Sequence, residues 1–259
     1  MILDRKLKNT KRGIFMKKSQ ALIKTIVLAM LVAIGVVISP ILRVEGMCPM
    51  AHVINIICSV FLGPWYSLLC ATLIGIIRMI TMGIPPIALT GAVFGAFLSG
   101  VFYRASKGKI ICAVFGEIIG TGIIGAIMSY PVMTYIWGRE GLSWLFYVPS
   151  FICGTLIGGG IAYVLLKKLA VNGALSKLQS TLGTKSYKSE SGVLSDAVTI
   201  ASTGTICFVA VQILINIFKP VTMLWSYLSY SIIAVFIISA LLYLLVKKLK
   251  KEDTDDRQS

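Results

Sequence analysis

Acidic residues are scarce in this chain: 10 Asp and Glu stand against 25 Lys and Arg, with one histidine. His52 has no carboxylate cluster beside it, so no metal centre is expected. No Walker A sequence, GxSxG elbow or HExxH helix occurs, and no nucleophile–base pair for hydrolysis stands out. The six cysteines include no C-x-x-C pair. Cys58, Cys70, Cys112, Cys153 and Cys207 fall within apolar runs and read as small packing residues, leaving Cys48 as the candidate for exposed thiol chemistry. Charge as a whole is sparse at 14%, hydrophobic residues make up 57%, and mean hydropathy is +0.88. A soluble domain carries about 25% charge and about 45–50% apolar residues, so that class is excluded. What is left is a membrane-embedded binder or conduit with no energy source and no cofactor of its own.

The apolar residues come in runs long enough to cross a bilayer as helices, about 18 or more residues each. The pattern predicts an all-α polytopic membrane protein with helices at 21–42, 51–63, 65–82, 87–103, 110–136, 145–166, 196–218 and 222–246. The second is short, ends at Gly63-Pro64, and reads as tilted or re-entrant. The net charge of +15 follows the alternation of the spans. Arg5, Lys6, Lys8, Lys11, Arg12, Lys17, Lys18 and Lys24 precede or open the first; Arg104, Lys107 and Lys109 follow the fourth. Lys167, Lys168, Lys177, Lys185 and Lys188 follow the sixth, and Lys247, Lys248, Lys250 and Lys251 close the eighth. The other side receives little more than Arg43, Arg139 and Lys219. This is positive-inside placement, with both termini cytoplasmic, and it argues against a nucleic-acid partner. No cleavable signal peptide is expected, since the first apolar run is long and lacks a small-residue cleavage site; Met16 is an alternative start.

The chain divides into a basic arm (1–20), a six-helix membrane unit (21–168), a Ser/Thr/Lys/Gly-rich cytoplasmic linker (169–195), a two-helix extension (196–247) and a charged tail (248–259). The halves show no repeat, which weakens an inverted-repeat carrier. Small residues recur every fourth position: Gly91, Gly95 and Ser99; Gly116 and Gly120; Gly154, Gly158 and Ala162. Such faces let helices approach closely in lipid. Ala29 and Ala33 share this spacing on the first helix and offer either internal packing or a face for another membrane protein.

Arg78 and Glu117 interrupt apolar runs, where a mid-helix charge costs roughly 2.5–3.5 kcal/mol, so both are functional candidates. His52 and Asn55 share a face of the second helix, and Tyr130 and Tyr135 lie outward on the fifth beside Pro131. Together these groups suit a small, flat, partly polar ligand; the bland alternative is that His52 and Asn55 only tie helix two to its neighbours. By helical rise Arg78 sits about 20 Å, and Glu117 about 10 Å, from the inner ends of their helices, which argues against a direct salt bridge. Glu117 is then the base of the cavity or a polar clasp between helices. An intramembrane enzyme using Glu117 and an autonomous secondary carrier are the competing classes.

The stretches Pro49-Met50-Ala51-His52-Val53-Ile54-Asn55, Gly63-Pro64-Trp65-Tyr66, Arg78, Gly91-Ala92-Val93-Phe94-Gly95-Ala96, the run from Gly116 to Ala126, and Tyr130-Pro131-Val132 follow one another in order over about residues 20–168. In these the chain resembles the ThiW family, substrate-binding (S) components of energy-coupling factor (ECF) transporters tied to the thiazole half of thiamine. The resemblance implies a six-helix S component in the cell membrane. Its site would open outward beneath the first loop and take a thiamine precursor such as hydroxyethylthiazole. It also implies a transmembrane coupling subunit, docked through Ala29 and Ala33, and two ATPase subunits that spend the ATP. Departures from the family pattern are Ala51 in place of a glutamine, Leu89-Thr90 in place of Phe-Pro, and the two spans after Ser195.

Overall fold

Within lipid a backbone must satisfy its own hydrogen bonds, which leaves helices as the natural form for these apolar runs. A computed structural model of the chain describes residues 2–41, 43, 47–187, 196–204, 208, 231 and 233–247. Among them there is no β-strand. Helix α1 spans Ile2–Ile38, α2 Pro49–Leu62, α3 Pro64–Met82 and α4 Ile87–Ala105. Helix α5 runs Ile110–Ile136 and α6 Val148–Val171. Five segments are long and apolar enough to cross a membrane: Lys18–Ile38 within α1, then α3, α4, α5 and α6. The protein is a multi-pass membrane protein. The basic arm is helical and continues into the first span without a break, since α1 runs from Ile2.

Helix α2 is different. Its 14 residues reach only about 21 Å, short of the roughly 30 Å hydrocarbon core. It is buried on all sides, packed by α1, α3, α4, α5 and α6. A helix buried all round belongs inside a bundle, and this one also carries His52 and Asn55 into the interior. Gly63, at φ 92°, makes the one-residue turn that lets Pro64 open α3 immediately. Close packing in the bundle depends on glycine: a Cβ at Gly120 on α5 would lie 2.6 Å from the Cα of Gly95 on α4. Another at Gly158 on α6 would collide with the carbonyl of Pro49 and stand 2.9 Å from the Cβ of His52.

Helix α5 changes its winding just past Glu117: Ile118–Gly125 and Val132–Ile136 are π-helical, with Pro131 between them. The wider turns rotate successive side chains relative to an ordinary α-helix.

Part of the expected linker is ordered structure. Ala174–Thr181 forms α7, which buries Leu175 and Gln179, with Leu182 buried just beyond it. Gln179 Nε2 donates to the carbonyl of Val60 (2.9 Å) and Thr184 Oγ1 to that of Phe61 (3.1 Å), so this segment satisfies carbonyls at the end of α2. Residues 188–195 of the linker and the tail 248–259 lie outside the described residues, as does much of the two predicted C-terminal spans. Of those spans, 196–204 and Ile233–Lys247 are helical. They join the bundle through Asp196, whose carboxylate accepts from Lys167 Nζ (2.8 Å) and from Tyr243 OH (3.1 Å).

Candidate ligand pocket

Because α2 is short, its N-terminal residues start deep among the longer helices. By helical rise Asn55 lies about 10 Å from the Gly63 end of α2 and His52 about 15 Å. Glu117 is about 10 Å along α5 from the same side, and Arg78 about 21 Å along α3. The four polar groups therefore stack as a ladder through the bundle, all of them buried.

The lower rungs form one cluster. Glu117 Oε1 accepts from His52 Nδ1 (2.9 Å), from Asn55 Nδ2 (3.0 Å) and, four residues along its own helix, from Thr121 Oγ1 (3.2 Å). Asn55 Nδ2 also lies 3.4 Å from the carbonyl of Ala92 on α4, while Ser67 Oγ on α3 donates to the Asn55 carbonyl (2.9 Å). A carboxylate acceptor fixes the imidazole proton on Nδ1 and turns Nε2 toward α6, where Gly154 leaves room for it. Glu117 Oε2 is buried without a hydrogen bond.

Above the cluster is an open pocket. Its walls are Arg43, Met47 and Cys48 from the first loop, Ala51 and His52 from α2, and Arg78 from α3. Ile84, Ile87, Ala88, Gly91, Ala92 and Phe151 complete it as an apolar side. Phe151 packs so tightly on Gly91 that a Cβ there would meet the ring at 2.7 Å.

Of the six residues picked from the sequence, four are brought together: His52 and Arg78 on the pocket wall, Asn55 and Glu117 behind it. Arg78 and Glu117 form no ion pair, and His52 occupies the gap between their depths. Tyr130 and Tyr135 are not among the lining residues. Ser129, their neighbour, faces α4 and shares a hydrogen bond with Thr90 (2.7 Å), so Tyr130, one position on, is swung about 100° away. Tyr130 packs at a tilt against Trp144 (ring centroids 4.5 Å, planes 41° apart) and meets Tyr135 edge-on, which is largely exposed. Cys48 is half-buried, its thiol donating to the Ser39 carbonyl; Cys153, read as a packing residue, is exposed on α6, and Cys207 lies outside the described residues. Sequence reasoning missed the apolar wall and Thr121. The i, i+4 spacing of Thr121 from Glu117 was the available signal.

Ala29 and Ala33 are exposed on α1, in a stripe with Leu22, Ile26, Met30 and Val37, while Leu28, Leu31 and Val32 turn inward. They take no part in internal packing.

Residues 25–172, more than half of the chain, match the model of the family described as thiamine-precursor transporter protein (ThiW). The chain belongs to the ThiW family. The matched region ends just past α6, so the ThiW unit comprises the bundle and its pocket, and the C-terminal helices lie beyond it. Membership makes this a transport protein with a small-molecule substrate. Of the positions expected from the sequence to depart from the family pattern, Ala51 lines the pocket, whereas Thr90 is engaged with Ser129 and is not among the lining residues. No curated protein and no solved structure matches the chain.

Proposed function

We propose that this ThiW-family chain is the substrate-binding S component of an ECF importer in the cell membrane, with both termini cytoplasmic. It takes up hydroxyethylthiazole or a closely related thiamine precursor. One observation carries the reading: an open pocket, apolar on one side, holds two buried polar side chains, His52 and Arg78, backed by a hydrogen-bonded carboxylate. Ligand pockets are mostly apolar with a few convergent polar groups, and this one has that character. His52 orients the ligand, with Glu117, Asn55 and Thr121 holding the imidazole in place, and Arg78 supplies the charge.

The chain binds no cofactor and hydrolyses no nucleotide. A transmembrane coupling subunit docks on the exposed Ala29–Ala33 stripe, and two ATPase subunits drive release of the ligand inward. Glu117 is not on the pocket wall and its Oε1 already accepts three hydrogen bonds, which favours a supporting role over acid–base chemistry.

The test uses purified full-length protein in detergent. Hydroxyethylthiazole binds without ATP, and vesicles take it up only when the coupling subunit and ATPases are co-reconstituted. Uptake by this chain alone would make it an autonomous carrier instead.

A further inference from the structure

Arg78 is the least explained charge in the bundle. Its side chain is only 4% exposed, it makes no hydrogen bond or ion pair among the described residues, and its Nε is sealed from solvent without a partner. Burying an unpaired guanidinium is costly, and proteins normally offset that cost with a carboxylate or phosphate. No described residue supplies one: the described part of the pocket wall contains Arg78, Arg43 and His52 and no Asp or Glu. Glu117, the acidic residue buried in the bundle, gives Oε1 to His52, Asn55 and Thr121, and Glu45 of the first loop lies outside the described residues. Arg43 is exposed at the mouth of the same pocket, so both guanidinium groups border one cavity whose opposite wall is apolar.

We infer that the ligand carries an oxyanion, a carboxylate or a phosphate monoester, on a flat apolar ring, and that Arg78 is the residue that selects it. This rests on the proposed reading of the pocket as the thiamine-precursor site and narrows its substrate class. The ring lies along Ile84, Ile87 and Phe151, and the anionic head meets the planar guanidinium of Arg78, whose fork of donors matches two oxygens at once. Arg43 adds attraction at the entrance. The same charge pattern works against a cation, so thiamine, with its permanently charged thiazolium, is a poor ligand.

Calorimetric titration of the purified protein with four compounds tests this: thiamine, hydroxyethylthiazole, its phosphate ester, and the corresponding thiazole carboxylate. The result expected is that at least one of the two anions binds ten-fold or more tighter than the neutral alcohol, with thiamine weakest. The two anions tell the phosphate from the carboxylate. Arg78→Gln then removes the preference, so that in this variant the anion binds no more than about two-fold tighter than the alcohol does in the same variant. Arg43→Gln, at the exposed mouth, serves as the milder second variant and lowers the anion's advantage only in part. Equal or tighter binding of the alcohol, or an anion preference that survives in Arg78→Gln, overturns this inference and leaves the proposed function standing. No binding of any of the four overturns both.

Discussion

Replacing Glu117 with alanine removes the one acceptor that joins α2 to α5. Two donors, His52 Nδ1 and Asn55 Nδ2, lose their short bonds of 2.9 and 3.0 Å, and Asn55 keeps only its 3.4 Å contact with the Ala92 carbonyl. Thr121 loses less, because a helical hydroxyl can turn to a carbonyl of its own helix. An orphaned buried donor costs about 1–3 kcal/mol, so two cost about 2–6 kcal/mol. At about 2–4 °C per kcal/mol for a chain near this size, the melting temperature falls by about 4–24 °C. Glu117→Gln keeps an oxygen in place and gives up only the charge assistance, about 1 kcal/mol per bond, so it falls between wild type and alanine. The assay is thermal unfolding of detergent-purified protein without ligand, which separates packing from binding. An alanine variant that melts within about 1 °C of wild type, or one no less stable than the glutamine variant, refutes the claim that this carboxylate clasps the bundle.

Four further outcomes follow from other parts of the molecule. His52→Ala lowers affinity for the thiazole ligand at least about ten-fold, the worth of one well-placed polar contact, as read by calorimetry on protein that still elutes as a single peak. Ala29→Leu with Ala33→Leu leaves ligand binding unchanged but abolishes ATP-dependent uptake and co-purification with the coupling subunit, because bulky side chains block close helix approach. Gln179→Ala strips the Val60 carbonyl and the Tyr103 hydroxyl of a donor, and costs about 1–3 kcal/mol in thermal unfolding. Gly120→Ala forces a methyl into the α4 backbone at Gly95, where nothing can yield, and costs at least about 1–3 kcal/mol, seen as lost expression or a lower melting temperature.

The membrane class and the main helices were legible because lipid imposes length and apolarity on each segment independently, one run at a time. The polar candidates were legible for the same reason: Arg78 and Glu117 stand out against runs that otherwise exclude charge. The small-residue spacing foretold helix contact as well, and Gly120 and Gly158 make it. Spacing within one helix, however, cannot report which neighbour a side chain meets. The turn of α5 into π-helix shifts the phase of everything after Glu117, and the packing of Tyr130 against Trp144 depends on a residue 14 positions away. The docking of α7 under α2 was equally hidden, since its polar composition reads as a linker until Gln179 finds the end of another helix.

Sequence alone therefore determined that this is a helical membrane protein with a few costly hydrophilic groups. Only the tertiary structure decided that Glu117 belongs to His52 and Asn55, and that Arg78 is left facing an open pocket. The physical reason is depth: the shortness of α2 lowers His52 into the space between the two charges, and no one-dimensional pattern records how far down a neighbouring helix begins.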